Sequence, residues 1–583
     1  MARESLSYSE IYKILYDDDS EVNDSDADPD FEINSDHESN SEVSGDEEED
    51  VQPSASIDAP TVVDSSTAHH SDSGTSPISF YKGRNGATKW RKTCFPQSVR
   101  TRRHNIVTMH LPGSIRAAMD VHSPLESWQL FFSKSLIETV LGSTNIYIDS
   151  VRDKYNSDPN MARPTSIDEL MAYFGLLYLA GTLHGGKMNI EDFWNTDGTG
   201  IEIFRASMSL KRFRFLTRCI RFDNIHTREE RKAQDNLAAI RTILDMFVSN
   251  CNSYYAPSEN VTLDEMLVPY RGRCRFRMYI PNKPAKYGIK VFILACSKTY
   301  YVKHLEVYAG AQPEGPYKVS NKADDVVLRL VDPVKGSGRN LTVDNWFTSY
   351  PIVKRLLHEK NITVVGTLKK KPEIPFEFLP KKSKEVYSSM FGFQEYITLL
   401  SYVPKRNKSV LLLSSMHNDD EIDSDSGGKK KPSIITYYNK TKGGVDVVDA
   451  MCGEYTVARG TRRWPLCLFF QMLNIAALNG YIVFKANGNV SVRREYLRTL
   501  GKSLVTPYLK MRATQANLPR QIRRLASNLS GTQEQGIVED PQPGRRGRCY
   551  ECKDSKTKYF CKVCKVWLCL AHAEIVCGEC FEK

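Results

Sequence analysis

The chain has 583 residues, of which 41% are hydrophobic and 10% aromatic, enough for roughly three or four domains with a large core. Its net charge of +9 conceals an asymmetry, because residues 1–50 hold 19 acidic and two basic residues, which leaves +26 for residues 51–583. This basic region favours an anionic partner, most commonly nucleic acid. The absence of a secretory signal at the start argues against a secreted protein stabilised by disulfides.

The first 115 residues are predicted to form a disordered acidic region with a basic arm. Ser, Asp and Glu dominate to about residue 90, a composition that buries too little apolar surface to offset chain entropy. Basic residues then take over from Lys82 to His104. This basic stretch is interpreted either as an arm that touches DNA or as a flexible linker.

Two helical segments are predicted, at residues 116–259 and 457–530. Apolar residues recur at helical spacing from about Ser123, and Ser166 with Glu169 forms a capping-box pattern at the start of a second helix. The two segments flank the intervening strands, so we expect them to pack together.

One stretch, residues 466–484, has no charged residue and is long enough to resemble a membrane span. Gln471, Asn474 and Asn479 nevertheless fall on one side of the helical wheel. We therefore expect a buried amphipathic helix and no membrane partner.

Strand patterns begin at residue 260 and predict an α/β catalytic core of the ribonuclease H-like class. Three consecutive strands, the first ending at Asp264, precede a helix and a fourth strand that ends at Asp344. In this order the first and fourth strands are neighbours, so the two aspartates converge. The core is expected to span residues 260–371 and 434–456, with an insertion domain of short strands at residues 372–433.

Four aspartates are the candidate catalytic residues. Asp264 and Asp344 each follow alternating apolar residues, and the spacing of Asp446 and Asp449 puts both on one face of a short helix. Converging carboxylates raise each other's pKa values unless cations neutralise them, and their oxygens suit Mg²⁺ or Mn²⁺. Two such ions about 4 Å apart support phosphodiester cleavage. Any one aspartate taken alone is more often a solvated side chain.

A basic segment after the first aspartate is predicted to bind DNA, since it combines phosphate-neutralising charge with aromatic surface. A solvated basic hairpin is the alternative. The residues concerned are Arg271, Arg273, Arg275, Arg277, Lys283, Lys286, Tyr287 and Lys290. Further candidates for a target-DNA pocket are Asn345, Trp346, Lys369, Lys370 and Lys371, with core packing equally favoured for Trp346.

The last 36 residues, 548–583, follow a linker at residues 531–547 and carry four close pairs of soft ligands. These are Cys549, Cys552, Cys561, Cys564, Cys569, His572, Cys577 and Cys580. Eight such ligands predict two structural Zn²⁺ sites, which spacing alone allows to be paired sequentially or in a cross-brace. A RING or PHD finger is a rival interpretation, although the four residues between His572 and the final CxxC are few for either. Basic runs at Gly427, Arg520 and Gly544 indicate nuclear import, with solvated linkers as the alternative.

Several strings closely resemble the piggyBac transposase family over residues 123–583: VTLDEMLVPYRGR, YIPNKPAKYGIK, VDNWFTS, YYNKTKGGVDVVDAM and RRWPLCLFFQMLNIAALN. The resemblance implies a DDD transposase in which Asp264, Asp344 and Asp446 bind the catalytic metal ions and Asp449 supports them. Trp464, in the last string, is among the DNA-binding residues that it implies.

The resemblance also implies a function and a zinc pairing. The function is cut-and-paste transposition by a homodimer, through hairpin intermediates on the terminal inverted repeats and with integration at TTAA sites. The helical segments at residues 116–259 and 457–530 would then serve dimerisation and DNA binding. The pairing is the cross-brace, with Cys549, Cys552, Cys569 and His572 on one ion and Cys561, Cys564, Cys577 and Cys580 on the other. The alternative is a domesticated nuclear DNA-binding protein that no longer transposes.

Overall fold

The structure is a computed structural model that describes residues 79–96, 102–155, 160–185, 188–281, 283–532, 546–561 and 566–574. The predictions for the acidic segment before residue 79 and for Cys564, Cys577 and Cys580 lie outside these residues. Two short strands open the described chain, β1 (Phe80–Lys82) and β2 (Lys89–Arg91).

The segment at residues 116–259 is helical, as predicted, and a small ribbon of β3 (Gly113–Ser114) and β4 (Tyr255–Ala256) brings its two ends together. The Ser166 hydroxyl accepts a hydrogen bond from the N–H of Glu169, but the Glu169 side chain does not return to complete the capping box. It is buried and pairs with Arg212 instead. The helices are α1 (Pro124–Gln129), α2 (Lys134–Val151), α3 (Ile167–Thr182), α4 (Glu202–Ser207), α5 (Leu210–Cys219), α6 (Arg228–Lys232) and α7 (Arg241–Ser253).

The central sheet confirms the ribonuclease H-like class. Its elements are β5 (Asn260–Pro269), β6 (Arg277–Tyr279), β7 (Tyr287–Cys296), β8 (Val302–Val307), α8 (Ala323–Leu330), β9 (Asn340–Val343), α9 (Tyr350–Lys360) and β10 (Thr363–Thr367). The first long strand, β5, pairs antiparallel with β7 and parallel with β9, and β10 continues the parallel pairing beyond β9.

The insertion contributes three strands to this same sheet. They are β11 (Ser389–Phe393), β12 (Thr398–Lys405) and β13 (Lys408–Ser414). Because β13 pairs antiparallel with β10, residues 372–433 extend the sheet of the core and do not form a sheet of their own.

The N-terminal hairpin lies at the outer edge of this extension, so the prediction of disorder through residue 115 is wrong here. Arg91 of β2 pairs with Phe393 of β11. Trp90 is 1% exposed, and its indole N–H donates to the carbonyl of Glu373 at 3.0 Å. Part of the basic stretch is therefore a fixed piece of the sheet, neither a free arm nor a linker.

The C-terminal helices are α10 (Ser433–Thr441), α11 (Gly444–Glu454), α12 (Trp464–Ala486), α13 (Arg493–Thr514) and α14 (Arg520–Ser530), followed by strands β14 (Gly547–Arg548) and β15 (Lys556–Thr557). The two helical segments do pack on each other. A Cβ added at Gly175 of α3 would lie 2.6 Å from the carbonyl oxygen of Gly501 of α13, so these helices approach at backbone distance.

Helix α12 passes through the middle of the core. By length and composition it could span a membrane, yet 94% of its most apolar 18-residue stretch is buried within the fold. Its polar side chains do not form a solvent face, so the expected amphipathic pattern is absent. Asn479 instead pairs with both the N–H and the carbonyl of Val302, at 2.9 Å each, and thereby satisfies the backbone of β8.

Candidate active site and metal centres

Asp264 and Asp344 occupy equivalent positions on neighbouring strands. The parallel pairing of β5 and β9 ends with Leu263 opposite Val343, and the two aspartates are the next residues along the chain, with Asp344 just past the end of β9. The prediction that Asp264 ends its strand is wrong, because β5 stays paired with β7 as far as Pro269. The sheet therefore opens on one side of β5 at this point, and the carboxylates lie where it opens.

Backbone groups orient the Asp344 carboxylate. Its Oδ1 accepts hydrogen bonds from the N–H groups of Trp346 at 2.8 Å and Phe347 at 3.3 Å, while the Thr348 hydroxyl donates to the Asp344 carbonyl at 2.6 Å. Burial and the neighbouring Glu265 raise the pKa of Asp344, against the opposing effect of these N–H groups. These hydrogen bonds thus fix the orientation of the carboxylate without offsetting the rise in its pKa.

A layer of threonines beneath the aspartates attaches the helix that carries Asp446. Thr262 of β5 donates to the carbonyl of Thr441 at 2.6 Å, and Thr342 of β9 donates to the hydroxyl of Thr441 at 2.7 Å. Thr441 ends α10, and α11 begins three residues later with Asp446 in its first turn. The junction of the two helices is thereby fixed on both aspartate-bearing strands.

Gly444 allows the close approach of α11 to the sheet. A Cβ added at this position would lie 2.6 Å from the Thr262 hydroxyl oxygen. The preceding Gly443 has nothing within 4 Å of its added Cβ. Of the glycine pair, only Gly444 is required by packing.

The electrostatics show that the aspartates form one group. Burial raises the pKa of Asp264 well above its usual value, and the nearby carboxylates of Asp446 and Asp344 raise it further. Burial and Asp446 together raise the pKa of Asp449 to about 6. Like charges held this close favour binding of cations.

Lys283 is one of the protein's own cations at this site. Its ammonium lies 3.9 Å from the Asp446 carboxylate and donates to the carbonyl of Glu265 at 3.2 Å. Although burial opposes it, carboxylates led by Asp264 and Asp446 raise the pKa of Lys283. Lys283, predicted as a DNA contact, therefore lies among the aspartates.

Sequence reasoning missed Glu265 and the threonine layer. Glu265 forms an ion pair with Lys290 at 3.5 Å, and the Lys290 ammonium lies 4.9 Å from the ring centroid of Trp346. A signal for the threonines was available, since both strands read Thr-x-Asp at 262–264 and 342–344. The period of two places each threonine on the same strand face as its aspartate.

The predicted DNA-binding residues divide into exposed and packed groups. Trp346 stacks on Phe292 at 5.5 Å, as the core-packing alternative predicted, and Trp464 packs edge-on against Phe276 at 5.1 Å. Asn345, Lys283 and Lys290 are partly buried. The exposed group comprises Arg271, Arg273, Arg275, Arg277, Lys286, Tyr287, Lys369, Lys370 and Lys371.

The donor set at the aspartates fits divalent metal. All the charged ligands are carboxylate oxygens, which hard cations prefer, and their raised pKa values show that the charge is only partly balanced.

The tail brings four soft ligands together. The ligand atoms of Cys549, Cys552, Cys569 and His572 all lie within 4.8 Å of one another, with Cys569 Sγ 3.1 Å from His572 Nδ1. This is the first set of the cross-brace pairing and differs from the sequential one. Backbone N–H groups of Cys569 and Cys552 lower the pKa of the Cys549 thiol to about 6, which favours a thiolate ligand.

Comparisons with known proteins agree with this architecture. Residues 123–481 match the family model described as Transposase IS4. The cryo-EM structure of a piggyBac transposase synaptic complex with hairpin DNA is 35% identical and superposes with a TM-score of 0.72, covering 81% of this chain and all of that one.

Human proteins are also similar over much of their length. The piggyBac transposable element-derived protein 3 is 23% identical over 478 residues, which are 77% of this chain and 75% of that protein. The piggyBac transposable element-derived protein 5 is 19% identical over 68% of this chain and 77% of its own length. With the family model covering more than half of the sequence, the chain belongs to the piggyBac-type transposase family.

Proposed function

We propose that this protein is a cut-and-paste DNA transposase whose DDD active site consists of Asp264, Asp344 and Asp446. The observation that carries the proposal is the placement of Asp264 and Asp344 at equivalent positions on two parallel strands, with Asp446 attached beside them through Thr441. Three unrelated parts of the sequence thus supply carboxylates to one opening in the sheet.

The three aspartates would hold two Mg²⁺ or Mn²⁺ ions. When bound, such ions activate a water or a DNA 3′-hydroxyl as nucleophile and stabilise the leaving oxyanion. The threonine layer keeps the carboxylates in register, and the N–H groups of Trp346 and Phe347 fix the orientation of Asp344. Asp449 and Lys283 tune the charge around this group, and neither needs to contact metal.

The substrate is double-stranded DNA at the transposon's terminal inverted repeats. The exposed arginines between β5 and β7 follow the strand that carries Asp264, and the exposed lysines after β10 follow the strand paired with β9, so both groups offer phosphate-binding charge to a DNA strand. The relative solved with hairpin DNA supports hairpin intermediates, and integration at TTAA sites follows from the same family resemblance. The protein acts as a nuclear homodimer in this proposal.

A structural role is proposed for the cysteine-rich tail. Cys549, Cys552, Cys569 and His572 have the composition and closeness of a closed Zn²⁺ site. Cys561 would belong to a second ion with the three cysteines outside the described residues. Lysines on this module would then contact the terminal repeats.

The alternative is a domesticated DNA-binding protein. It is favoured by the similarity to human proteins that are named as derived from the transposable element. In that case DNA binding would persist without excision.

A plasmid excision assay in cells separates the two functions. The donor plasmid carries the DNA that flanks the coding sequence on both sides, and the wild type is compared with Asp344→Asn. We expect precise excision with the wild type and none with the variant. Nuclear DNA binding by a wild type that excises nothing from these ends would favour the domesticated alternative.

A further inference from the structure

A cleft of about 410 Å³ lies between the catalytic sheet and the start of the C-terminal helices. This volume falls within the range of about 300 to 1,000 Å³ that is typical of small-ligand sites. Its walls come from the end of β5, the start of β7, the α11–α12 connection and the buried side of α12. The residues that decide its chemistry are Tyr270, Arg271, Tyr287, Ala458, Cys467 and Phe470.

The floor of the cleft is apolar and fixed. Phe470 is 1% exposed and Cys467 is 8% exposed, and the Cys467 thiol donates to the carbonyl of Pro269 at 3.3 Å. Tyr270 is also buried, and its hydroxyl donates to the carbonyl of Arg462 at 2.7 Å. These hydrogen bonds connect the two sides of the cleft, so the cavity is a built part of the fold.

The rim combines an aromatic ring with positive charge. Tyr287 is 42% exposed, and its ring is held by Tyr279 at 4.8 Å and by the guanidinium of Arg277 at 5.4 Å. Arg271 is exposed at the mouth. An apolar pocket with an oriented aromatic ring and a cationic rim fits an unstacked nucleobase whose phosphates remain outside.

The cleft lies farther along β5 than the catalytic aspartates. Lys283, which lies 3.9 Å from Asp446, is two residues from Ala285 in the cleft wall. Along β5, Pro269 is five residues beyond Asp264, or about 17 Å at ~3.3 Å per residue. This separation corresponds to about five nucleotides of a strand at 3.4 Å per step.

We propose that this cleft receives one extrahelical nucleobase of the DNA end, within about five nucleotides of the scissile phosphate. The inference rests on the proposed function, since it requires DNA at the aspartates. It adds a base-sized subsite that holds the distorted strand in position. The phosphate-binding arginines alone would not distinguish a stacked from an unstacked strand.

An abasic scan with purified full-length protein tests the subsite. Fluorescence anisotropy measures the affinity for hairpin-ended duplexes of the flanking terminal DNA, with a single abasic site moved through the eight nucleotides nearest the hairpin tip. We expect one position at which loss of the base weakens wild-type binding about five-fold or more. This factor corresponds to the lower end of the binding free energy that one stacked base contributes.

Two variants connect that position to the cleft. Ala458→Leu fills the cleft and Tyr287→Ala removes its aromatic wall, so both should weaken binding of intact DNA and become insensitive to the abasic site. Arg273→Ala, an exposed cation outside the cleft lining, should weaken binding of every duplex by the same factor.

The outcomes are distinct. If no abasic position weakens wild-type binding, or if the variants keep the wild-type sensitivity to it, the cleft does not hold a base, while the proposed transposase function stands. If the wild type does not bind intact terminal DNA at all, both proposals fail.

Discussion

At the scale of single residues, the charge of the Asp449 carboxylate lowers the stability of the folded protein at neutral pH. Its carboxyl is partly buried on the same helix face as Asp446, and its pKa of about 6 lies above the usual value of 3.8. A carboxyl whose pKa is raised by folding stabilises the folded protein when protonated. That contribution is present below about pH 4 and is lost as the pH rises through about 6. At neutral pH the ionised group opposes folding.

Replacing Asp449 by Asn should therefore stabilise the metal-free protein at pH 7.5. The shift of about two pKa units limits the gain in the free energy of unfolding to about 3 kcal/mol. Urea unfolding in EDTA should show a higher midpoint at pH 7.5 and a smaller gain at pH 4.5. Asp420→Asn, at an exposed site, is the control and should change neither. A lower midpoint for Asp449→Asn at pH 7.5 would contradict this account.

At the scale of elements, α11 is held on the sheet by one close contact and one hydrogen-bonded layer. Gly444 is the close contact, since an added Cβ would lie 2.6 Å from the Thr262 hydroxyl. The helix must move outward to accept a methyl group there, and Asp446, two residues later, moves with it. Because reacting groups tolerate little displacement, the shift affects catalysis more than folding.

Gly444→Ala is accordingly expected to reduce DNA strand cleavage about 100-fold, with DNA binding retained. Gly443→Ala is a matched control, because its added Cβ meets nothing within 4 Å and its φ of −77° suits alanine. Cleavage and gel-shift assays on both proteins give the comparison. Equal cleavage by the two variants would show that the Gly444 contact does not position Asp446.

Helix α12 depends on a buried amide at Asn479. Asn479→Leu replaces the amide by a larger apolar side chain of similar branching and leaves the N–H and carbonyl of Val302 without their partner, at a cost of about 2 kcal/mol or more. Thermal unfolding should show a lower Tm than the wild type. The exposed Asn517→Leu serves as control. An unchanged Tm for Asn479→Leu would mean that the two backbone groups find other partners.

At the scale of the whole molecule, the sheet joins parts that are distant in sequence. One eleven-stranded sheet contains the N-terminal hairpin, the insertion strands and the catalytic strands. One face of β5 and β7 packs into the same hydrophobic core as both helical segments. The catalytic opening is thus embedded in a continuous structure. The cysteine-rich tail follows α14 and contributes its own ligand cluster.

The tail should bind two Zn²⁺ ions per chain. Metal analysis of the full-length protein after exhaustive dialysis is expected to find about two, and Cys549→Ser should reduce the number to about one because it removes a ligand of the described cluster. Cys94→Ser, outside any cluster among the described residues, should retain two. One ion or none in the wild type would contradict the eight-ligand model.

Sequence patterns predicted the strand order and the convergence of Asp264 with Asp344, because both follow from local alternation and a known order of strands. They did not predict the continuation of β5 past Asp264 or the attachment of the N-terminal hairpin at Trp90. The first depends on pairing with β7, and the second on pairing with a strand of the insertion about 300 residues away in sequence. Glu265 was missed because its ion pair with Lys290 and its effect on the pKa of Asp344 arise only from the sheet's register.

The central claim is that Asp264, Asp344 and Asp446 form one metal-dependent DNA-cleaving site. Single-turnover cleavage of the flanking terminal DNA by purified protein tests it most directly, with Mg²⁺ or EDTA and with wild type or Asp344→Asn. We predict cleavage only by the wild type in Mg²⁺, with a rate at least about 1,000-fold lower for Asp344→Asn and unchanged DNA affinity. Cleavage by Asp344→Asn within ten-fold of the wild-type rate, or equal cleavage in EDTA, would contradict the account.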